Sequence, residues 1–409
     1  MSDGRFRILI DRIPFAEGNL GEEAILASLL QDLEGIENVD ILVLSNMPQR
    51  TRQRHGDRVK VIPEKLAHWL SLPAAVLKSD LLIWGGGHML QDRSSQLYIP
   101  YVVKTLLLAR LLRKPRFIYA PGLGPVWGRL GKALSKLALK GALCLLVRDT
   151  ASSEFLRSLE LSERAEQTAD PAFSLRTPFD QNEHHQSQIP LIGVAPRRHF
   201  YRKGSWLPVS MQNSTKRGGN TKFQDFNREL ASGLDEIIAI RDARIRFLPM
   251  DLGPNPRDDL VCEKIRSQMV HLARCVTCAD DPPLYEFIKR LGELDLLISA
   301  RLHGIILGLR FGLPFIGIDS DGKIQHFARS IGCEDWVIKD AELTYQRLVE
   351  MINAALDRQE ELRCFLKDKN SELRARAEIN RQRLNECMDN ITGSSFRLQK
   401  EKETCIQQG

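Results

Sequence analysis

Three of the four basic residues between Asp295 and Lys323, in the segment DLLISARLHGIILGLRFGLPFIGIDSDGK, stand at or just after strand ends: Arg301, His303 and Lys323. Leu296 to Ser299 reads as a buried parallel strand, Leu302 to Phe311 as a helix and Phe315 to Ile318 as the next strand, with Gly312 and Pro314 punctuating the turn. Parallel strands in such a unit deliver their following loops to the same sheet edge. Arg301 and His303 then leave one strand where Lys323 leaves its neighbour, and the three groups face one crevice as an anion site. Ser299 reads as the helix cap, which puts His303 in the first turn, where unpaired backbone N–H groups and the helix dipole favour a negative ligand. A histidine in that place suits proton transfer at physiological pH. The competing structural explanation, Arg301 as a salt-bridged loop anchor and His303 as a core residue, is weakened by the strand-end placement and by Lys323.

The elements that must position these groups alternate between apolar strands and helical patterns, the signature of parallel α/β layers. A first series runs through Phe6 to Ile10, Ile41 to Leu44, Leu81 to Trp84, Phe117 to Ala120 and Leu143 to Val147, with helices such as Gly21 to Leu33 and Leu97 to Leu112 between. A second series follows at Leu191 to Ala195, Ile245 to Leu248, Leu296 to Ser299 and Phe315 to Ile318. The polar stretch TPFDQNEHHQSQ, Thr177 to Gln188, separates them and reads as a linker, with His184 and His185 solvated. Domain boundaries follow at 1–180, a linker at 181–189, 190–342 for the domain with the basic cluster, and 343–409 for long amphipathic helices that pack back on the body and fray after about Asn390. The loop from Phe200 to Thr221, rich in Lys, Arg, Gly and Ser, is either an acceptor lid or an insertion.

Other strand ends carry chemistry of their own. Gly18-Asn19-Leu20-Gly21 follows a strand and opens a helix, so its backbone can approach a phosphate or a sugar; Gly85, Gly86 and Gly87 end another strand at the same edge, before His88 and Asp92. A tight strand-to-helix turn is the alternative for both. Arg148 ends a strand of the first series and Arg197 one of the second; each is a ligand contact or a surface ion pair.

Composition bounds the rest. The chain has 409 residues, 43% of them hydrophobic, enough for two or three domains with sizeable cores. A formal net charge of +6 suits anionic substrates or loose contact with an acidic membrane surface and does not by itself indicate nucleic acid. The amino terminus has no apolar core of signal-peptide length, and no run approaches the roughly eighteen residues of a membrane span. Eight scattered cysteines suit a reducing compartment, and a cytoplasmic location is expected. Cys275 and Cys278 form a lone CxxC without the second pair that a structural zinc site needs.

At Gly18-Asn19-Leu20-Gly21, DLLIWGGG ending at Gly87, Gly122-Leu123-Gly124-Pro125, Arg148-Asp149-Thr150-Ala151-Ser152, Asp170-Pro171, Arg301-Leu302-His303 and Lys323, the chain resembles the polysaccharide pyruvyl transferase family. The ordered set covers roughly residues 6 to 335. One departure is the approach to the lysine, Asp319-Ser320-Asp321-Gly322, where the family often has an aromatic residue. The resemblance implies two Rossmann-like domains facing across a cleft, as in GT-B glycosyltransferases. It also implies transfer of a pyruvyl group from phosphoenolpyruvate onto two hydroxyls of a sugar in a polysaccharide or its precursor, free or lipid-linked, leaving a ketal and phosphate. Arg301, Lys323 and Arg148 then grip the donor and His303 moves the proton, while Gly18, Asn19, Gly21, Gly85 to Gly87, Arg197 and Leu302 line the substrates. The reaction calls for no cofactor and no metal, and for at most peripheral membrane contact. The alternative is a GT-B glycosyltransferase or sugar-nucleotide epimerase in which the basic cluster holds a diphosphate and Asp319-x-Asp321 a metal. A glycan-binding protein with a lapsed site is a third reading, against which Arg301, His303 and Lys323 stand intact.

Overall fold

The computed structural model describes residues 5–14, 18–64, 71–92, 95, 97–179, 189–198, 217–253, 257–278 and 281–392. The expected linker histidines, most of the 200–221 loop and the tail beyond 392 lie outside these residues.

Short apolar runs buried on both faces make two fully parallel sheets, as strands covered by helices on either side must be. In chain order the strands are β1 (Phe6–Asp11), β2 (Val39–Ser45), β3 (Lys60–Pro63), β4 (Leu81–Gly85), β5 (His88–Met89), β6 (Arg116–Tyr119), β7 (Gly122–Leu123), β8 (Cys144–Val147) and β9 (Ala165–Gln167). They continue as β10 (Leu191–Ala195), β11 (Arg244–Phe247), β12 (Cys275–Thr277), β13 (Leu296–Ser299), β14 (Phe315–Asp319) and β15 (Val337–Lys339). The first sheet runs β3-β2-β1-β4-β6-β8-β9 and the second β12-β11-β10-β13-β14-β15; β5 and β7 form a separate two-stranded ribbon. In each large sheet the order reverses beside the first strand, and such a reversal opens a crevice at the carboxyl ends of the strands. The anticipated doubly wound α/β architecture is therefore present twice. In the two large sheets the strands not anticipated from sequence, β3, β9, β12 and β15, are short and form the sheet edges, where a long apolar run is not required, and the two-residue strands β5 and β7 were not anticipated either.

The two halves share a core. Ala24, Ile25 and Leu29 of the helix Leu20–Asp32 join Leu291, Ile305 and Leu309 of the second half in one buried cluster. The helix Gln359–Thr392 adds Leu366, Leu373, Ala377 and Leu384 to the same cluster. That long helix returns to the first half: Asn380 donates to the Ala169 carbonyl at 3.1 Å and accepts from the Thr168 hydroxyl at 2.7 Å. Apolar burial on this scale holds the crevices face to face.

The helix after β13 differs in detail from the sequence reading. Ser299 is not its cap. The helix spans Leu302–Leu309 with Arg301 at the cap position, while Ser299 Oγ accepts from the Arg301 N–H at 3.1 Å and donates to the Arg301 carbonyl at 2.8 Å. The hydroxyl thus shapes the strand-to-helix turn from within. The helix stops at Leu309 because Gly312 takes a positive φ of 61° and the Leu313 N–H closes back on the Gly308 carbonyl.

Candidate functional site

A carboxylate, Asp170, stands between the two halves. It follows β9 and caps the short turn Pro171–Phe173 by accepting from the Ala172 N–H at 3.0 Å. Its other oxygen receives Nη1 of Arg148 at 2.6 Å and lies 3.5 Å from Nε2 of His303. Arg148 leaves β8 of the first sheet and His303 enters the helix after β13 of the second, so one buried carboxylate ties a guanidinium and an imidazole from opposite walls. Burial alone would raise the Asp170 pKa, but Arg148 and then His303 outweigh it and hold the carboxyl well below its usual range. The 3.5 Å approach is too long for a well-formed hydrogen bond, and Nε2 of His303 is buried with no hydrogen-bond partner among the described residues.

Gly21 explains how His303 is placed. A Cβ at Gly21 would fall 2.2 Å from the imidazole Cγ, so the first turn of the helix Leu20–Asp32 lies directly on the ring. Asn19 caps that helix, its side chain accepting from the Gly21 N–H at 2.9 Å, and Glu22 and Glu23 complement the dipole. Gly18 and Leu20 hydrogen-bond across the cleft: the Leu20 N–H reaches the Met250 carbonyl at 2.9 Å and the Leu252 N–H the Gly18 carbonyl at 3.1 Å. Here the glycine turn pairs with the opposite wall. Gly85 to Gly87 pack tightly, with the Tyr119 carbonyl beside Gly85, Ile13 beside Gly86 and the Glu22 carboxylate beside Gly87. Leu302 opens the helix that carries His303 and is partly buried against the shared core.

Arg301 has partners of its own. Its Nε and Nη2 fork onto Asp258 at 2.9 and 2.5 Å, and Nη2 lies 3.4 Å from Asp251. Asp258 also accepts from the backbone N–H of Met250 and Asp251, the segment that pairs with Gly18 to Leu20. The arginine is therefore tied to the segment that pairs with Gly18 to Leu20.

Lys323 begins the helix after β14, entered through Gly322 at a φ of 86°. Its Nζ lies 3.4 Å from Asp321, which also takes Arg197 at 3.5 Å. Burial in the cleft, with Arg197 and Arg148 nearby and against the pull of Asp321, brings the ammonium down to about 8. Asp321 itself is held low: burial opposes, but Lys323 and Arg197 prevail. Asp319 accepts from the backbone N–H of Gly322 and Ile324, which makes it a turn-former.

Sequence reasoning left His88, Asp170 and Asp321 out of the site. His88 Nε2 faces the Gly124 carbonyl at 2.5 Å; a carbonyl only accepts, so Nε2 carries the proton. Burial, then Lys323 and Arg148, keep the ring well below the ordinary histidine value, so it stays neutral with Nδ1 as an acceptor. Gly122 has no room for a side chain there: a Cβ would sit 2.7 Å from His88 Nδ1 and 2.9 Å from Arg148 Nη2. The signals were present, since His88 follows the glycine triplet and Asp170 precedes a proline.

Lys323 and Arg148 thus stand beside a neutral histidine, with Arg197 next to Lys323 and an imidazole backed by a carboxylate nearby. Groups of this kind can bind a small polyanion and exchange a proton beside it.

Known proteins agree on the architecture. The S. aureus MnaA–UDP co-structure matches at TM-score 0.63 and 13% identity, covering 95% of this chain and 97% of that one. The UDP-GlcNAc 2-epimerase from Neisseria meningitidis bound to UDP-GlcNAc matches at 0.58 and 12%, covering 94% and 99%. A glycosyltransferase from Rickettsia africae matches at 0.56 and 12%, covering 95% and 99%. At such identities the likeness is one of fold, the two-domain GT-B arrangement. The model of the family described as polysaccharide pyruvyl transferase matches residues 19–322. That match covers most of both sheets and takes in His88, Arg148, Asp170, Arg197, Arg301, His303 and Asp321, ending one residue before Lys323, and the chain belongs to the polysaccharide pyruvyl transferase family.

Proposed function

We propose that the protein transfers the pyruvyl group of phosphoenolpyruvate to two hydroxyls of one sugar in a cell-surface polysaccharide or its precursor. The observation that carries this reading is the meeting of Arg148 and His303 on Asp170, with Lys323 alongside. Lys323, Arg197 and the unshared donors of Arg148 bind the phosphate and carboxylate of the donor. His303 delivers a proton to the methylene carbon, and Asp170 stabilises the imidazolium that precedes delivery. The neighbouring carbon becomes electrophilic, and a first hydroxyl adds and returns its proton to His303. The C–O bond to phosphate breaks, the second hydroxyl closes the ring, and its proton leaves with the phosphate. Atoms balance without an oxidant or a further reactant. Arg301 acts as a positioning residue, keeping the Met250–Leu252 segment against Gly18 to Leu20. The donor is a metabolite of the cell interior, so the reaction belongs in the cytoplasm.

Phosphate release from phosphoenolpyruvate with candidate glycan acceptors, run beside a panel of nucleotide sugars, tests the reading. Acceptor-dependent phosphate release with a ketal in the product is expected. Turnover of a nucleotide sugar without any of phosphoenolpyruvate would replace it with the GT-B glycosyltransferase or epimerase alternative, for which the neighbours' fold is the support.

A further inference from the structure

Between Asp92 and Asp149 the chain has no acidic residue and eleven lysines and arginines. Two helices from this stretch, Tyr98–Leu111 and Arg129–Leu139, lie side by side on the first sheet. Ile99 approaches Gly131 at one end, and Arg110 donates to the Lys140 carbonyl at the other, so the helices run in the same direction and their carboxyl ends meet. The second helix buries Ser135, Ala138 and Leu139. Leu130, Ala133 and Leu137 recur at helical spacing on a different face, an exposed apolar stripe, while Leu134 packs partly buried against the core. Leu130 is 68% exposed, Leu137 46%, and Trp127 just before the helix 60%. Leu111 and Leu143, near the meeting carboxyl ends, are 78% and 58% exposed. Arg113, Arg129, Lys132 and Lys140 are exposed around the stripe, and among the described residues none of them pairs with a carboxylate.

We propose that this face docks the protein on an anionic lipid surface, with Trp127, Leu130 and Leu137 entering the headgroup boundary and the surrounding lysines and arginines meeting the lipid phosphates. A large amphipathic moment with basic flanks and an interfacial tryptophan is the chemistry that lies in a membrane surface without crossing it. Among the described residues no helix is long and apolar enough to cross. A second copy of the chain is a poor occupant, because a two-fold contact would oppose like charges across the same stripe. The face also has a bearing on the site. The helix Arg129–Leu139 starts at the carboxyl-end edge of the first sheet, directly after Gly122 to Pro125, and Gly122 packs on His88 and Arg148. Docking there sets the mouth of the cleft at the lipid surface.

Co-sedimentation of the full chain with vesicles tests this without donor or acceptor, so the outcome does not depend on the pyruvyl transfer reading. Vesicles of phosphatidylcholine with roughly one-third phosphatidylglycerol should bind the protein, vesicles of phosphatidylcholine alone should not, and salt near 0.5 M, where the Debye length is only about 4 Å, should release it. The triple substitution Arg129→Gln, Lys132→Gln and Lys140→Gln should weaken binding about a hundredfold. The pair Leu130→Gln and Leu137→Gln should weaken it at least about tenfold. Both sets are exposed, and circular dichroism should report an unchanged fold. The proposal is overturned if the wild-type chain ignores anionic vesicles or if neither set changes binding. It is overturned equally if sedimentation velocity shows a dimer that these substitutions dissociate, or if only an acidic protein partner is retained.

Discussion

At the level of single residues the question is which group moves the proton and which groups hold charge. Removing the imidazole by His303→Ala should lower turnover by about 10²–10⁴ while donor affinity stays within about tenfold, because general acid–base contributions act in the transition state. Stopped turnover alongside calorimetric donor binding is the expected pair of results; near wild-type turnover would remove His303 from the chemistry. Asp170 has a depressed pKa in the folded state, so its stabilising contribution is complete above the unfolded carboxylate value of about 4 and is lost as the pH falls below it. Asp170→Asn leaves the buried Arg148 with only the longer contact to Asp149, 3.6 Å from its Nε, and should cost about 3 kcal/mol in urea unfolding at neutral pH. Lys323 gives the opposite dependence for binding. With its ammonium brought to about 8, kcat/KM for the donor should fall as the pH rises through that value. Lys323→Arg, charged throughout, should carry the plateau to higher pH; an unshifted limb would assign it to another group.

At the level of elements, the decisive fit is the helix Leu20–Asp32 against the imidazole. Gly21→Ala must push the ring or the helix, since its Cβ would meet Cγ at 2.2 Å. A displacement of about 1 Å can cost roughly 10² in rate, so kcat should drop by about that factor, with about 1–3 kcal/mol of stability lost to overpacking. Crystallography of the variant would show the imidazole moved off Asp170; an undisturbed ring with full activity would refute the account. Positioning here comes from close backbone approach, and glycine is the residue that permits it.

At the level of the whole molecule, function depends on keeping two crevices together. The Gly18–Leu20 bridge to Met250–Leu252 does this at the site, and the helix Gln359–Thr392 does it from behind. Asn380 is fully buried and satisfies both Thr168 and Ala169, so Asn380→Ala should cost about 1–3 kcal/mol in denaturant unfolding. Loss of stability with kcat retained in the surviving fold is expected; an unchanged midpoint would mean that the return contact contributes little.

The sequence alone determined the parallel strands, the strand-end residues and the order of the motifs, because buried parallel strands read as apolar runs and every such strand delivers its next loop to the same edge. Arg301, His303, Lys323 and Arg148 were legible on that basis. The sequence did not determine their partners. That Asp170 joins Arg148 to His303, that Arg301 is taken up by Asp258, and that Gly21 supports a ring more than two hundred and fifty positions away were decided only by the packing of one sheet on the other. Local periodicity carries no information on such pairings, since they form between segments whose only relation is the shared core that brings them together.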